Sequence, residues 1–298
     1  MDALSDHDWR TLEFAAEHRL VLATHVAALL GVWLPAAEAQ VQSLLDRGLL
    51  RDARRSEQAL GCEQITRAGL NAVGSTLPAP RPSAAGTYQH DVGLAWLWLA
   101  ARAGAFGPLT AIVSERQMRS EDGRAEQRQN LLGVRLGGVG PGGRDRLHYP
   151  DLVLHTAAGH RVALELELTP KPSARLEKIL AGYAADRDVD AIVYLVDKPA
   201  RGLAVTKSAA RLGISHLVHV QRVSFAARRP ADRVRAAERA RGAAGTVHRN
   251  PRSDAVGVAG AVRGAGAARG AGAAHGAGAG NGAGTARGAG AGDAERSR

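Results

Sequence analysis

Cysteine is almost absent from this chain of 298 residues, since Cys62 is the only one. A single cysteine excludes an intramolecular disulfide and is typical of proteins in a reducing compartment. Long apolar runs are absent as well: the longest, 92–101, ends at Arg102 and is too short to span a bilayer. The acidic amino end lacks the features of a signal peptide. These absences predict a soluble, cytoplasmic protein with no membrane partner.

Lysine is absent from the segment 226–298, which carries 13 Arg against 5 Asp or Glu, a net charge of +8. Residues 1–225 carry the remaining +2 of the overall +10, so the basic character belongs mainly to this tail. Repeats of Arg, Gly and Ala cannot bury enough apolar surface to offset the entropy of ordering them. We therefore predict a disordered tail over 226–298, preceded by about two domains.

Residues 1–75 show a compact helical pattern followed by a short hairpin. The predicted elements are helices over 6–18, 25–30 and 35–47, strands over 49–51 and 62–66, and a closing helix from residue 67. Ser5 suits the cap of the first helix, Gly31 the end of the second and Pro35 the start of the third. This order predicts a winged helix-turn-helix domain.

The third helix of this domain would enter the major groove of duplex DNA. The candidate base contacts are Gln40, Gln42, Ser43 and Arg47, and the candidate phosphate contacts in the wing are Arg51, Arg54 and Arg55. Residues 1–85 nevertheless contain 8 Arg and 10 Asp or Glu, a net charge of −2. A homodimer or the Arg-rich tail would then supply the missing positive charge. The alternative is a winged helix that contacts protein instead of DNA.

Pro78, Pro80 and Pro82 predict a linker over 76–86, and a second domain follows over 87–225. Its predicted elements are a helix over 90–102, strands over 111–117, 147–155 and 162–168, a helix over 173–185, a strand over 191–196, a helix over 201–212 and a strand over 215–220. The polar and then glycine-rich stretch 121–143 is interpreted as a long loop. This order predicts an α/β domain with a mixed sheet.

Three carboxylates stand on two neighbouring strands of this domain. Alternation places Glu165 and Glu167 on the same face of the strand 162–168, and Asp151 precedes the strand paired with it. Adjacent carboxylates repel, so they need solvent, cations or a metal ion. One solution is a solvated polar face on a half-buried strand. The basic side chains Arg161, Lys171 and Arg175 would then pair with the carboxylates.

The other solution is a divalent-metal site of the kind that nucleases use, where the ion activates water. Such sites usually place a lysine two residues after the second carboxylate, and here that position holds Glu167. Lys171 lies beyond Pro170, and Glu115 is a further candidate ligand. The histidines, His148 among them, show no metal-ligand spacing.

Short motifs in a fixed order resemble the replication-relaxation family of plasmids and mobile elements. They are Asp8-Trp9, the stretch 20–30, Gly48-Leu49-Leu50, Ile65-Thr66-Arg67-Ala68-Gly69, His90-Asp91, Ser114-Glu115-Arg116, Pro150-Asp151 and Glu165-Leu166-Glu167-Leu168-Thr169. The resemblance covers about 5–221. It implies a winged helix joined to a restriction-endonuclease-like α/β domain similar to the PD-(D/E)xK fold. It also implies that Asp151 matches the Asp of the Pro-Asp pair and Glu165 the next acidic residue.

The leading hypothesis is a DNA-binding accessory protein in plasmid or mobile-element replication and DNA relaxation, without catalysis or a cofactor. Its partners would be double-stranded DNA and a relaxase or replication initiator. The first alternative is a magnesium-dependent DNA nickase that uses Asp151, Glu165, Glu167 and Lys171, with Glu115, Asp151 and Glu165 as metal ligands. The second alternative is a winged-helix transcription regulator.

Overall fold

A computed structural model describes residues 3–53, 61–81, 85–124, 132–140, 143 and 145–224. The helices are α1 Asp6–Glu17, α2 Ala23–Leu30, α3 Leu34–Asp46, α4 Arg67–Ala72, α5 Tyr88–Arg102, α6 Glu115–Arg124, α7 Ser173–Ala185 and α8 Pro199–Arg211. The strands are β1 Val21–Leu22, β2 Leu50–Asp52, β3 Cys62–Ile65, β4 Leu109–Ser114, β5 Val134–Val139, β6 Asp145–His148, β7 Leu152–Thr156, β8 Arg161–Glu167, β9 Ala191–Val196 and β10 Val218–Arg222. The predicted tail 226–298 and the wing residues Arg54 and Arg55 lie outside the described residues.

The amino-terminal unit consists of α1 to α4 and a small antiparallel sheet in the order β1-β3-β2. Ser5 caps α1 through a reciprocal pair of hydrogen bonds with Asp8, and Gly31 ends α2 in the left-handed conformation. These ends agree closely with the sequence prediction. Strand β1 was not predicted, because two residues are too few to show an alternating pattern.

The α/β unit is built on a five-stranded sheet in the order β10-β9-β8-β7-β4. Strands β8, β9 and β10 run parallel, whereas β7 pairs antiparallel with both β8 and β4. The sheet is therefore mixed, as the element order predicts.

Helices cover both faces of this sheet. Helix α5 packs Leu97 and Ala101 on the face that carries Leu152, Leu164 and Val193. The opposite face carries the side chains that alternate with these along each strand, and α7, α8 and β5 cover it. Every residue of β8 from Val162 to Glu167 is consequently buried.

Helix α5 also closes the core of the amino-terminal unit. Ala95 belongs to that core, and Trp98 packs against both cores. Ser114 donates a hydrogen bond of 2.5 Å to the Glu17 carboxylate, and Arg116 donates to the carbonyl of Ala16 at 2.9 Å. The two units therefore share a helix and are joined by polar contacts as well.

The predicted linker is held along its length by donated hydrogen bonds. The carbonyl acceptors and their donors are Thr76 with Arg124, Leu77 with Arg67, Pro78 with Arg116, Pro80 with Arg51, and Arg81 with Gln64. Because arginines from both units bind these carbonyls, the segment is a strap across the two units. Residues 82–84 of it lie outside the described residues.

Three sequence predictions in the α/β unit are wrong. The strand predicted over 111–117 ends at Ser114, and α6 follows it. The predicted loop 121–143 contains the end of α6 and the strand β5, which pairs with β6. The strand predicted over 147–155 is two strands, because Pro150 interrupts it and cannot donate a ladder hydrogen bond.

No helix in the described ranges combines the length and the apolar character needed to cross a membrane.

Candidate functional site

Strand pairing brings the predicted carboxylates together. Leu152 on β7 lies opposite Leu164 on β8, so Asp151 lies beside Glu165 at the end of the pair. The Oδ2 atom of Asp151 accepts a hydrogen bond of 2.7 Å from the Leu166 amide. The same oxygen lies 3.2 Å from Nε2 of His90, near the start of α5. Asp151 is therefore fixed by the neighbouring strand and by a histidine from a distant helix.

Glu165 is enclosed by the elements that cover its face of the sheet. Only 2% of the residue is exposed. Its Oε1 atom lies 2.5 Å from both Nε2 of His148 on β6 and the hydroxyl of Tyr183 on α7. Burial on its own would raise the pKa of Glu165, but the charges of His148 and Lys171 and the bond from Tyr183 lower it. Glu165 is therefore ionised, and His148 balances its charge.

Glu167 lies two residues further along the same face and pairs with Lys171. Lys171 reaches back from beyond Pro170 to the Glu167 carboxylate. Burial raises the pKa of Glu167 in spite of this lysine. Burial opposes the charge of Lys171, yet Glu165 and Glu167 raise its pKa above the usual value. Lys171, in the turn after the strand, therefore supplies the cation that pairs with Glu167.

The three carboxylates share one electrostatic arrangement, in which each has a basic partner. His90 faces Asp151, His148 faces Glu165 and Lys171 faces Glu167. Burial would lower the pKa of His90, but Asp151 and Asp91 raise it to about 10, so this histidine carries a charge. Of the three ways to relieve carboxylate repulsion, the protein uses side-chain cations.

The alternative of a solvated polar face is wrong. Glu167, the more exposed of the two glutamates, is only 5% exposed. Of the proposed basic partners, only Lys171 contacts the group. Arg161 lies 3.9 Å from Asp186 instead, and Arg175 is exposed on α7. The face is closed because α7 and the β5–β6 hairpin cover it.

Glu115 does not join the other carboxylates. It begins α6 and forms ion pairs with Arg19 at 3.0 Å and Arg119 at 2.7 Å. Among the described residues, no group of three or more Asp, Glu, His or Cys side chains has an arrangement that could hold a metal ion. The metal-ligand set of Glu115, Asp151 and Glu165 stays a prediction.

Sequence reasoning missed four residues around the acidic group. His90, His148 and Tyr183 contact its carboxylates directly. Tyr194 on β9 lies in register with Glu165, and its fully buried hydroxyl has no hydrogen-bond partner among the described residues. The nearest signal in the sequence was the closeness of His148 to Asp151, three residues apart. Tyr183 and Tyr194 gave no signal, because their positions fit ordinary core residues.

Helix α3 has two distinct sides. Ala37, Val41 and Leu44 lie in the core, whereas Gln42 and Ser43 are exposed on the other side. Gln42 donates a hydrogen bond of 2.8 Å to Asp46 within the same helix. Of the predicted base-contacting residues, Gln42 and Ser43 therefore lie on this exposed side.

The other two candidates of that set are bound to α1. Asp8 accepts a hydrogen bond of 2.6 Å from Gln40 and one of 3.0 Å from Arg47. Burial would raise the pKa of Asp8, but the bonds from Ser5, Arg47 and Gln40 lower it. Asp8 is thus a charged anchor that fixes α3 against α1, and both partners would reach DNA only from this position.

Among the predicted phosphate contacts, only Arg51 lies in the described ranges. It donates to Gln64 at 3.1 Å and to the carbonyl of Pro80 at 3.2 Å. Arg51 therefore helps to hold the strap. Arg54 and Arg55 lie outside the described residues, so their role stays a prediction.

The chain matches no protein-family model, and neither a curated protein nor a solved structure matches it. The resemblance to the replication-relaxation family stays a prediction, and function has to be argued from the residues themselves.

Proposed function

We propose that this chain is a DNA-binding accessory protein of plasmid or mobile-element replication and DNA relaxation, in which α3 contacts duplex DNA and the acidic group is not catalytic. The observation that carries the proposal is the two-sided character of α3. Its apolar side is buried in the core, and its opposite side presents Gln42 and Ser43. Amide and hydroxyl side chains on an exposed helix are suited to hydrogen bonds with base edges.

The order of elements supports a winged helix-turn-helix. Helix α2 ends at Gly31, a short turn follows, and α3 begins at Leu34. The sheet β1-β3-β2 then lies beside these helices, and residues 54–60 between β2 and β3, where the wing is predicted, lie outside the described residues. Asp8 fixes α3 at both Gln40 and Arg47, so the exposed side has a defined orientation.

Charge compensation supports a non-catalytic role for the acidic group. A nuclease needs carboxylate oxygens that are available to a cation and to water. Here Glu165 is buried and bonded to His148 and Tyr183, and Glu167 is bonded to Lys171. The group then contributes mainly to the interior of the α/β unit.

The first test replaces the exposed side of α3 in the full chain. A duplex is selected from a random pool by the wild-type protein, and affinity is measured by fluorescence anisotropy. Gln42→Ala with Ser43→Ala should weaken binding to that duplex roughly thirtyfold or more, because each of the two lost base contacts costs about 1–3 kcal/mol. Binding to an unrelated duplex should change much less, since phosphate contacts are retained.

The matched control removes the same side-chain types elsewhere. Gln89 on α5 and Ser173 on α7 are both exposed, so Gln89→Ala with Ser173→Ala should bind the selected duplex like wild type. The proposal is wrong if the wild-type chain has no affinity for any duplex at low ionic strength. It is also wrong for α3 if the two double variants bind equally well.

The second candidate function is a DNA nickase, favoured by the closeness of Asp151, Glu165 and the charge of Lys171. Burial alone would lower the pKa of Lys171, but the nearby carboxylates, Glu165 and Asp151 among them, raise it. Catalysis would require His148 and Lys171 to leave the carboxylates when substrate arrives. This is a larger rearrangement than DNA binding by α3 demands.

A supercoiled-plasmid relaxation assay with magnesium separates these candidates. We expect the wild-type protein and Asp151→Ala to leave plasmid topology unchanged at equal protein concentration. Nicking by wild type that is lost in Asp151→Ala and kept in Asp145→Ala, a carboxylate of the exposed hairpin, would establish the nickase instead.

A further inference from the structure

The last part of the α/β unit has an unusual distribution of charge. Residues 198–224 contain five Lys or Arg and two His, and no Asp or Glu. The preceding stretch 173–197 contains three Lys or Arg and five Asp or Glu. The sign of the charge thus changes at the start of α8. Helix α8 and strand β10 together carry the basic stretch.

Both elements lie at one edge of the sheet. Strand β10 pairs only with β9 within the described residues, and α8 packs on it through Gly202, where a Cβ atom would lie 2.9 Å from the Val220 side chain. The opposite side of α8 is exposed. Leu203, Lys207 and Arg211 lie on it at intervals of four residues, so they form one row along the helix.

Three of the five cations have no acidic partner among the described residues. Arg201 pairs with Asp197 and Arg211 with Glu177. Lys198 at the start of α8, Lys207 in its middle and Arg222 at the end of β10 are exposed, and none forms an ion pair in the described ranges. Their charge is therefore available to an external anion.

We infer that α8 and β10 form a second contact with duplex DNA, which binds the phosphate backbone without reading sequence. The inference rests on the proposed function, because DNA is the polyanion that this protein would already hold. It also answers the charge problem of the amino-terminal unit, where residues 1–85 have a net charge of −2. The Arg-rich segment 226–298 continues the chain directly beyond this basic edge and has the same sign.

Salt dependence of binding tests the inference in the full chain. Lys198→Gln with Lys207→Gln removes two of these three unpaired charges. Each lost phosphate contact reduces the slope of log affinity against log salt by about 0.9, so the slope should fall by roughly 2. Affinity for any duplex should fall roughly tenfold or more at about 0.1 M salt, regardless of sequence.

The matched control is Arg146→Gln with Arg187→Gln. These arginines are exposed on the β6 strand and on the connection between α7 and β9, so the net charge change is the same at other positions. The control should keep the wild-type slope. Thermal unfolding of both double variants should equal wild type, because none of the four side chains is buried.

The outcomes separate this inference from the proposed function. If wild type binds duplex DNA and both double variants have equal slopes, the α8 contact is refuted while the α3 proposal stands. If wild type does not bind duplex DNA, both are refuted. Poly-glutamate serves as a second probe: loss of affinity for it in the α8 variant, with unchanged duplex binding, would assign the surface to an acidic protein and overturn the inference.

Discussion

At the scale of single residues, the charge of Glu165 depends on one histidine. His148→Ala would leave a buried carboxylate without its cation, although Tyr183 would still donate to it. Removal of one partner from a buried ion pair typically costs about 3–5 kcal/mol. We therefore expect His148→Ala to lower the free energy of unfolding by about 3 kcal/mol or more, as measured by urea titration near neutral pH.

Two companion variants make this measurement specific to charge. His155 lies on β7 with no carboxylate partner among the described contacts, so His155→Ala should cost less than about 1 kcal/mol. Glu165→Gln in the His148→Ala background should recover part of the lost stability, because it removes the unpaired charge. A double variant no more stable than His148→Ala would show that His148 acts through packing alone.

The sequence could predict where Glu165 and Glu167 point, but not what surrounds them. Strand alternation alone places both on one face, and the structure agrees. Their burial was not predicted, because Tyr183 and His148 come from other elements. No local sequence pattern indicates that α7 and β6 cover the two glutamates. Lys171 was one of three predicted basic partners, but the sequence could not single it out, since it lies past a proline that breaks the strand period.

At the scale of elements, the sequence predicts the bounds of segments with strong apolar periodicity correctly and those of polar segments incorrectly. Strand β9 and helix α7 have the predicted bounds because their buried patterns are continuous. Strand β5 was interpreted as loop because glycine is frequent in that stretch. Two glycines leave room for close contacts of the β5–β6 hairpin. A Cβ atom at Gly133 would lie 2.8 Å from the Tyr149 ring, and one at Gly182 on α7 would lie 2.8 Å from the Arg135 carbonyl. Here glycine permits close packing of the hairpin.

Distant contacts also decide the ends of these polar elements. Asp122 on α6 accepts hydrogen bonds from the amides of Leu132 and Gly133, which orders the chain that enters β5. A carboxylate that accepts hydrogen bonds from amides ten and eleven residues away gives no periodic signal. The helix α6 was missed because its sequence is almost entirely polar, and contacts with the strap and with Arg19 replace an apolar face.

At the scale of the whole molecule, two uncharged histidines lie where the units meet. His18 contacts the Trp98 ring and His25 the Trp96 ring, both on α5. Burial lowers the pKa of each to about 3, from 6.5. Because the folded state resists protonation of these two histidines, their contribution to the free energy of unfolding is complete above about pH 6.5. It is lost as the pH falls toward 3. Each histidine costs about 1.4 kcal/mol per pH unit in that window.

We therefore expect the free energy of unfolding of His18→Leu to depend less on pH than that of wild type between about pH 7.5 and 5. The comparison of slopes cancels the opposite contributions of His90 and His148, whose pKa values are raised. His7 is exposed on α1, so His7→Leu should keep the wild-type slope. Equal slopes for His18→Leu and wild type would mean that His18 is open to water.

Helix α5 and the strap have a consequence for how such a protein can change over time. The core of the amino-terminal unit is completed by Ala95 and Trp98, which are borrowed from the neighbouring unit, and the strap is bound by arginines of both. The amino-terminal unit therefore cannot be exchanged between proteins without helix α5. Its grafting onto another carrier would uncover an apolar surface, so any change in what the exposed side of α3 contacts would have to arise by substitution within the existing chain.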